Sequence, residues 1–127
     1  MTCVKSVEHI STGFPSPADD YLERRLDLNE FLVQNPAATF MVRVRGESMI
    51  NAGIHHGDIL IVDRSQEARH GSIVIAAVNG VMTVKRLYLK NNQCQLHAEN
   101  PKDKPIHIQE AQDLYIWGVA MAVIRKL

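Results

Sequence analysis

Ser72-Ile73-Val74-Ile75-Ala76-Ala77-Val78-Asn79-Gly80-Val81-Met82-Thr83-Val84-Lys85-Arg86-Leu87-Tyr88-Leu89 is the stretch whose reading decides the fold class. Asn-Gly between two β-rich runs specifies a two-residue type I′ hairpin, because both residues accept the positive φ that such a turn requires. Two antiparallel strands are therefore predicted, over 72–78 and 81–89. On the return strand Thr83, Lys85, Leu87 and Leu89 share one face, and Met82, Val84, Arg86 and Tyr88 share the other. Whichever face is buried carries a basic residue among apolar neighbours. Burial disfavours an ammonium group and lowers its pKa. Taking a lysine from about 10.4 to about 7 represents on the order of 4–5 kcal/mol. A neutral lysine beside a serine can act as that serine's general base. A lysine whose methylenes run along the sheet to water produces the same pattern.

Working outward, Phe40-Met41-Val42-Arg43-Val44-Arg45 alternates with β periodicity, Phe40, Val42 and Val44 on one face and Met41, Arg43 and Arg45 on the other. Gly46 ends the alternation, so Gly46-Glu47-Ser48-Met49 puts Ser48 at a sharp turn just past a strand. Such a position can expose a hydroxyl and aim backbone N–H groups at a bound carbonyl, although serines after glycine also simply cap turns. Ile59-Leu60-Ile61-Val62-Asp63 is too continuously apolar to be half exposed and reads as a central strand. Further strands are expected over 94–98, around 106–108 and over 114–124. A short helix starts at Asp27, a good N-cap with Glu30 three residues on for reciprocal capping; Leu28, Phe31 and Leu32 share its apolar face, and Asn35-Pro36 ends it. Short strands, turns and one small helix make a mainly antiparallel β domain over 27–127.

Residues 1–26 read as an extended N-terminal arm. Ser11-Thr12-Gly13-Phe14-Pro15-Ser16-Pro17 is rich in breakers. An extended segment is what a protease cleft binds, and a tail with a rigid elbow has the same composition. At 127 residues the chain holds one core. Fourteen basic and fourteen acidic residues cancel, which argues against direct sequence-specific DNA binding. No apolar run approaches membrane-spanning length, and the first residues lack a signal-peptide core, so a cytoplasmic protein is expected. Cys3 and Cys94 form no motif, the six histidines show no zinc-type spacing, and neither a metal nor an organic cofactor is implied.

Gly13-Phe14-Pro15-Ser16-Pro17, Gly46-Glu47-Ser48-Met49, Gly57-Asp58-Ile59-Leu60-Ile61-Val62-Asp63, His70-Gly71-Ser72-Ile73-Val74-Ile75-Ala76 and Thr83-Val84-Lys85-Arg86-Leu87 together resemble the UmuD family. Its members are self-cleaving accessory subunits of SOS translesion DNA polymerases, related to the C-terminal domain of the LexA repressor. The resemblance implies a LexA/UmuD-like folded antiparallel sheet. It also implies Ser48 as nucleophile and Lys85, 37 positions later, as general base. Backbone N–H groups at Glu47 and Ser48 would form the oxyanion hole, and Thr12–Gly13 would be the scissile bond. The implied partners are a second copy of the chain, a UmuC-type Y-family polymerase and the RecA–single-stranded DNA filament that stimulates cleavage. Thr12 stands where family members usually carry cysteine or alanine, and the segment before it is shorter than usual. The alternative is an accessory dimer that functions without cutting itself. A LexA-type repressor is disfavoured, since the residues before the core are too few for a helix-turn-helix domain, and a leader peptidase would want a membrane anchor.

Overall fold

The structure, a computed structural model, describes residues 25–109 and 113–127. The chain divides into two units, Met1–Phe31 and Leu32–Leu127. Asp27 Oδ1 accepts the N–H groups of Asn29 at 3.0 Å and Glu30 at 3.3 Å, capping helix α1 (Leu28–Leu32) as expected. The reciprocal bond expected from Glu30 is absent among the described residues, where its side chain is exposed to water instead. In the second unit a 3-10 turn at Pro36–Ala38 leads into the sheet.

Seven strands follow: β1 (Thr39–Arg43), β2 (Ile59–Asp63), β3 (Ile73–Val78), β4 (Val81–Lys90), β5 (Gln93–His97), β6 (Ile106–Ile108) and β7 (Leu114–Ile124). They form one antiparallel sheet in the order β1-β2-β7-β3-β4-β5-β6. The mainly β fold class is as read from the sequence. Asn79 and Gly80 have φ of 50° and 84°, the type I′ turn that joins β3 to β4. Asn91 and Asn92, at φ 53° and 60°, make a second such turn between β4 and β5.

β3 is buried on both faces, which is why its sequence is continuously apolar rather than alternating. Ile75 packs with Val44, Met49, Ile54, Leu60 and Val62. Val74 and Ala76, from the opposite face, pack with Leu87, Leu96 and Val119. β2 is the central strand that its sequence implied, flanked by β1 and β7.

β7 bridges the two parts of the sheet, and it does so with two irregularities. Ile61 pairs with Ala122 but Val62 with Ala120, and Ile75 pairs with Gly118 but Ala76 with Ile116. Met121 and Trp117 are therefore the extra residues of two β-bulges, and a bulge turns a side chain away from the regular alternation. The Trp117 carbonyl accepts a hydrogen bond from Arg64 Nε at 3.0 Å, and the same guanidinium lies over the indole at 4.7 Å. Beside the bulge, a Cβ on Gly118 would come within 2.6 Å of Val62 Cγ1, so the close approach of β7 to β2 requires glycine there.

Two buried carboxylates brace the two ends of β2. Asp63 accepts from Ser65 N–H, Ser65 Oγ, Asn35 Nδ2 and Gln66 Nε2 at 2.6–3.3 Å. Asp58 is held by Arg125 Nε and Nη2 at 2.7 and 2.8 Å and by the His55 N–H at 2.8 Å. The Ser65 hydroxyl bond, then the others, lower the Asp63 pKa to about 2. The Arg125 bond and then the His55 N–H lower that of Asp58 to about 2 as well.

Because both folded-state values lie below the ordinary 3.8, these groups contribute stability that is complete above that value and is lost as pH falls through about 2. Acid titration of the thermal midpoint should therefore show a fall between about pH 4 and 2, diminished in Asp63→Asn. In the core, Leu60→Ala should cost about 2–5 kcal/mol in denaturant unfolding, and Gly118→Ala about 1–3 kcal/mol by overpacking.

Candidate active site

The turn that carries Ser48 is fixed from both sides. After β1 the ladder continues for one more residue, with the Val44 N–H donating to Asp58 O and the Gly57 N–H to Val44 O, each at 2.9 Å. Gly46 then takes φ of 84°, a left-handed conformation that ends the extended run. Its N–H donates to His56 Nδ1 at 2.9 Å, and the His56 N–H donates to Glu47 Oε2 at 3.1 Å. On the far side Met49 is 1% exposed in the core, and a 3-10 turn follows at Ile50–Ala52. Ser48 is held between a left-handed glycine and a buried methionine.

Ser48 is half-buried and lines a cleft of about 420 Å³. Val42, Val44, Ile75, Met82, Val84 and Trp117 give the cleft apolar walls, Arg43 and Arg45 are its charged members, and Thr83 supplies a second hydroxyl. The indole is there because the β7 bulge turns it to this side. Among the described residues, the N–H groups of Glu47 and Ser48 donate to no protein acceptor.

Lys85 is half-buried on β4, opposite Val74 in the register and on the same face as the buried Leu87. Burial pulls its ammonium below the ordinary lysine value of 10.5, while the Asp103 carboxylate acts the other way. Its Nζ donates to Thr83 Oγ1 at 3.0 Å. Thr83 therefore belongs both to the cleft that Ser48 lines and to the lysine. Among the described residues no hydrogen bond joins Ser48 to Lys85. Thr12 and Gly13 lie outside the described residues.

Three residues around the turn and the lysine were not singled out in the sequence. Thr83 lies two residues before Lys85, so the strand period puts both on one face, but the same pattern serves plain packing. Glu99 and Asn100, in the loop after β5, reach the serine turn: Glu99 O accepts the Asn51 N–H at 2.8 Å, and Asn100 Nδ2 donates to Glu47 O at 2.9 Å. No local pattern announces a contact of that kind. Among the described residues, no group of three potential metal ligands occurs and no helix is long and apolar enough to cross a membrane.

Residues 5–121 match the family described as peptidase S24-like. Protein ImpA of Escherichia coli is 42% identical over 120 residues, covering 94% of this chain and 81% of ImpA. Protein MucA of Escherichia coli is 44% identical over 115 residues, covering 89% and 77%. Protein SamA of Salmonella typhimurium is 45% identical over 119 residues, covering 94% and 82%.

The electrostatics of Lys85 can be read directly. In a ¹³C titration of the lysine side chains, Lys85 should titrate below 10.5. Asp103→Asn should move its midpoint further down, because an opposing negative charge is removed.

Proposed function

We propose that this chain, which belongs to the peptidase S24-like family together with the UmuD-type proteins ImpA, MucA and SamA, is a serine endopeptidase that cleaves its own arm at Thr12–Gly13 with a Ser48–Lys85 dyad. The observation that carries the reading is the half-buried Lys85, its pKa lowered, bonded to the Thr83 that lines the Ser48 cleft. A lysine depressed by desolvation is the type of base that a serine without histidine requires.

In this reaction neutral Lys85 turns from Thr83 to Ser48 and takes the hydroxyl proton as Ser48 Oγ attacks the Thr12 carbonyl carbon. The oxygen of the tetrahedral intermediate accepts hydrogen bonds from the free N–H groups of Glu47 and Ser48. Collapse breaks the Thr12–Gly13 bond, and Lys85 returns its proton to the leaving Gly13 amine. Lys85 next deprotonates a water, which hydrolyses the Thr12 ester and releases residues 1–12. Partial burial on β4 keeps the lysine desolvated, and an extended arm suits binding by backbone pairing.

The larger role follows from the family. The arm of 1–26 is the substrate segment, and 27–127 is the catalytic domain. The RecA–single-stranded DNA filament stimulates cleavage, and the shortened chain, as a cytoplasmic homodimer, serves a UmuC-type polymerase in SOS mutagenesis. The second reading, an accessory dimer that does not cut itself, draws on Thr12 and on the bond of Lys85 to Thr83 rather than to Ser48.

Intact mass spectrometry decides between them. Incubation with RecA, single-stranded DNA and a slowly hydrolysed nucleotide, or near pH 10, should yield a fragment beginning at Gly13. Ser48→Ala and Lys85→Ala should each slow its appearance by at least about 10³-fold. The wild-type rate should rise with pH through the lowered Lys85 pKa, since only the neutral amine accepts the proton. An unchanged mass with polymerase binding retained would establish the second reading.

A further inference from the structure

The Glu47–Ser48 peptide has one end bonded and one end free. Its carbonyl accepts Asn100 Nδ2 at 2.9 Å and the Ile50 N–H at 3.2 Å. Its N–H, on Ser48, is one of the two donors without a protein acceptor among the described residues. The peptide group is planar and trans, so carbonyl and N–H point in opposite directions. Whatever holds the carbonyl therefore aims the N–H. Of its two partners the turn bond to Ile50 is the longer, and a 3-10 turn alone admits rotation of its leading peptide.

Asn100 is itself held. Its Oδ1 accepts the Lys102 N–H at 3.0 Å, which fixes the direction of the carboxamide. The preceding residue ties the loop down twice: Glu99 O accepts the Asn51 N–H at 2.8 Å, and Glu99 Oε2 accepts from Arg86 Nε at 3.2 Å. Arg86 in turn donates through Nη1 to Gly71 O at 2.7 Å. A chain of bonds thus runs from the β4 strand, one residue past Lys85, to the carbonyl just before Ser48.

We propose that Asn100 is a positioning residue of the peptidase reaction: its carboxamide, braced by Lys102 and by the Glu99–Arg86 pair, orients the Glu47–Ser48 peptide so that the Ser48 N–H faces the oxyanion. The assignment rests on the Ser48 peptidase reading and adds to it the element that aims the oxyanion hole. Asn100 touches no reacting atom. Its effect falls on transition-state stabilisation and leaves the titration of Lys85 alone.

Asn100→Asp and Asn100→Ala test this in the full chain. Asn100→Asp keeps an oxygen for Lys102, loses the donor to Glu47 O and sets a charged oxygen against that carbonyl. First-order self-cleavage at the alkaline plateau should fall roughly tenfold to a hundredfold in both variants, a fraction of the effect of deleting an oxyanion donor outright. In Asn100→Ala the pH midpoint should match wild type, with the thermal midpoint little changed. An unchanged plateau rate overturns the assignment. So does a loss accompanied by a shifted pH midpoint, because the loop would then be acting through Asp103 and Lys85. A crystal structure of Asn100→Asp gives a readout that does not depend on cleavage. The Glu47–Ser48 peptide should rotate and withdraw the Ser48 N–H from the cleft, and an unrotated peptide overturns the assignment even if the wild type never cuts. Cleavage surviving in Ser48→Ala would sink the peptidase reading separately, leaving the peptide orientation to be judged by the crystal structure.

Discussion

Everything at the candidate site depends on β7 lying between β2 and β3. The Ser48 turn belongs to the β1–β2 connection and Lys85 to β4, and the hydrogen-bonded ladder between those parts runs through β7. A strand from late in the chain thus joins the two parts of the sheet that carry these residues, which sit 37 positions apart in the sequence. That insertion is tight. Gly118 is pressed against Val62, with no room for a methyl group, and the neighbouring bulge sends Trp117 into the wall of the Ser48 cleft. Arg64 satisfies the bulged carbonyl and stacks over the indole, so the irregular residue is as well partnered as a regular one. The same strand that closes the fold shapes the pocket.

The charged groups divide into two kinds. Asp58 and Asp63 are each 2% exposed, yet both are surrounded by donors, and hydrogen bonding outweighs desolvation to keep them ionised. Lys85 is less buried but poorly served, with one hydroxyl acceptor and a distant carboxylate, and for it desolvation wins. A fold that only needed to tolerate a lysine there would surround it as it surrounds its carboxylates. The contrast within one sheet is the physical argument for reading Lys85 as a base and the two aspartates as structural.

Legibility in the sequence followed the range of the interaction. The Asn79-Gly80 turn, the central β2 strand and the Asp27 cap are local, and residue type alone specified them. Ser48 and Lys85 were visible as a turn serine and a strand lysine, while their candidacy as a pair came from family resemblance. The sheet order was not visible, because pairing of β7 with β2 and β3 is a long-range packing outcome with no local code. The Asn100–Glu47 bond spans 53 residues and uses a side chain that ordinarily marks a loop. The expected return bond from Glu30 failed for the opposite reason: in a five-residue exposed helix, water competes for its carboxylate.

The resting contact of Lys85 also bears on the proposed chemistry. The resting lysine donates to Thr83, a contact that suits the ammonium, because hydrogen bonding to the charged form favours it. The proposed reaction needs the other protonation state, with the amine turned toward Ser48. Each pH unit below the lysine pKa shrinks the neutral fraction about tenfold. The Glu47 and Ser48 N–H groups, by contrast, already donate to no protein acceptor among the described residues. For the proposed reaction the requirement therefore falls on the lysine, because removing water from around its amine favours the neutral form without rebuilding the turn that carries Ser48.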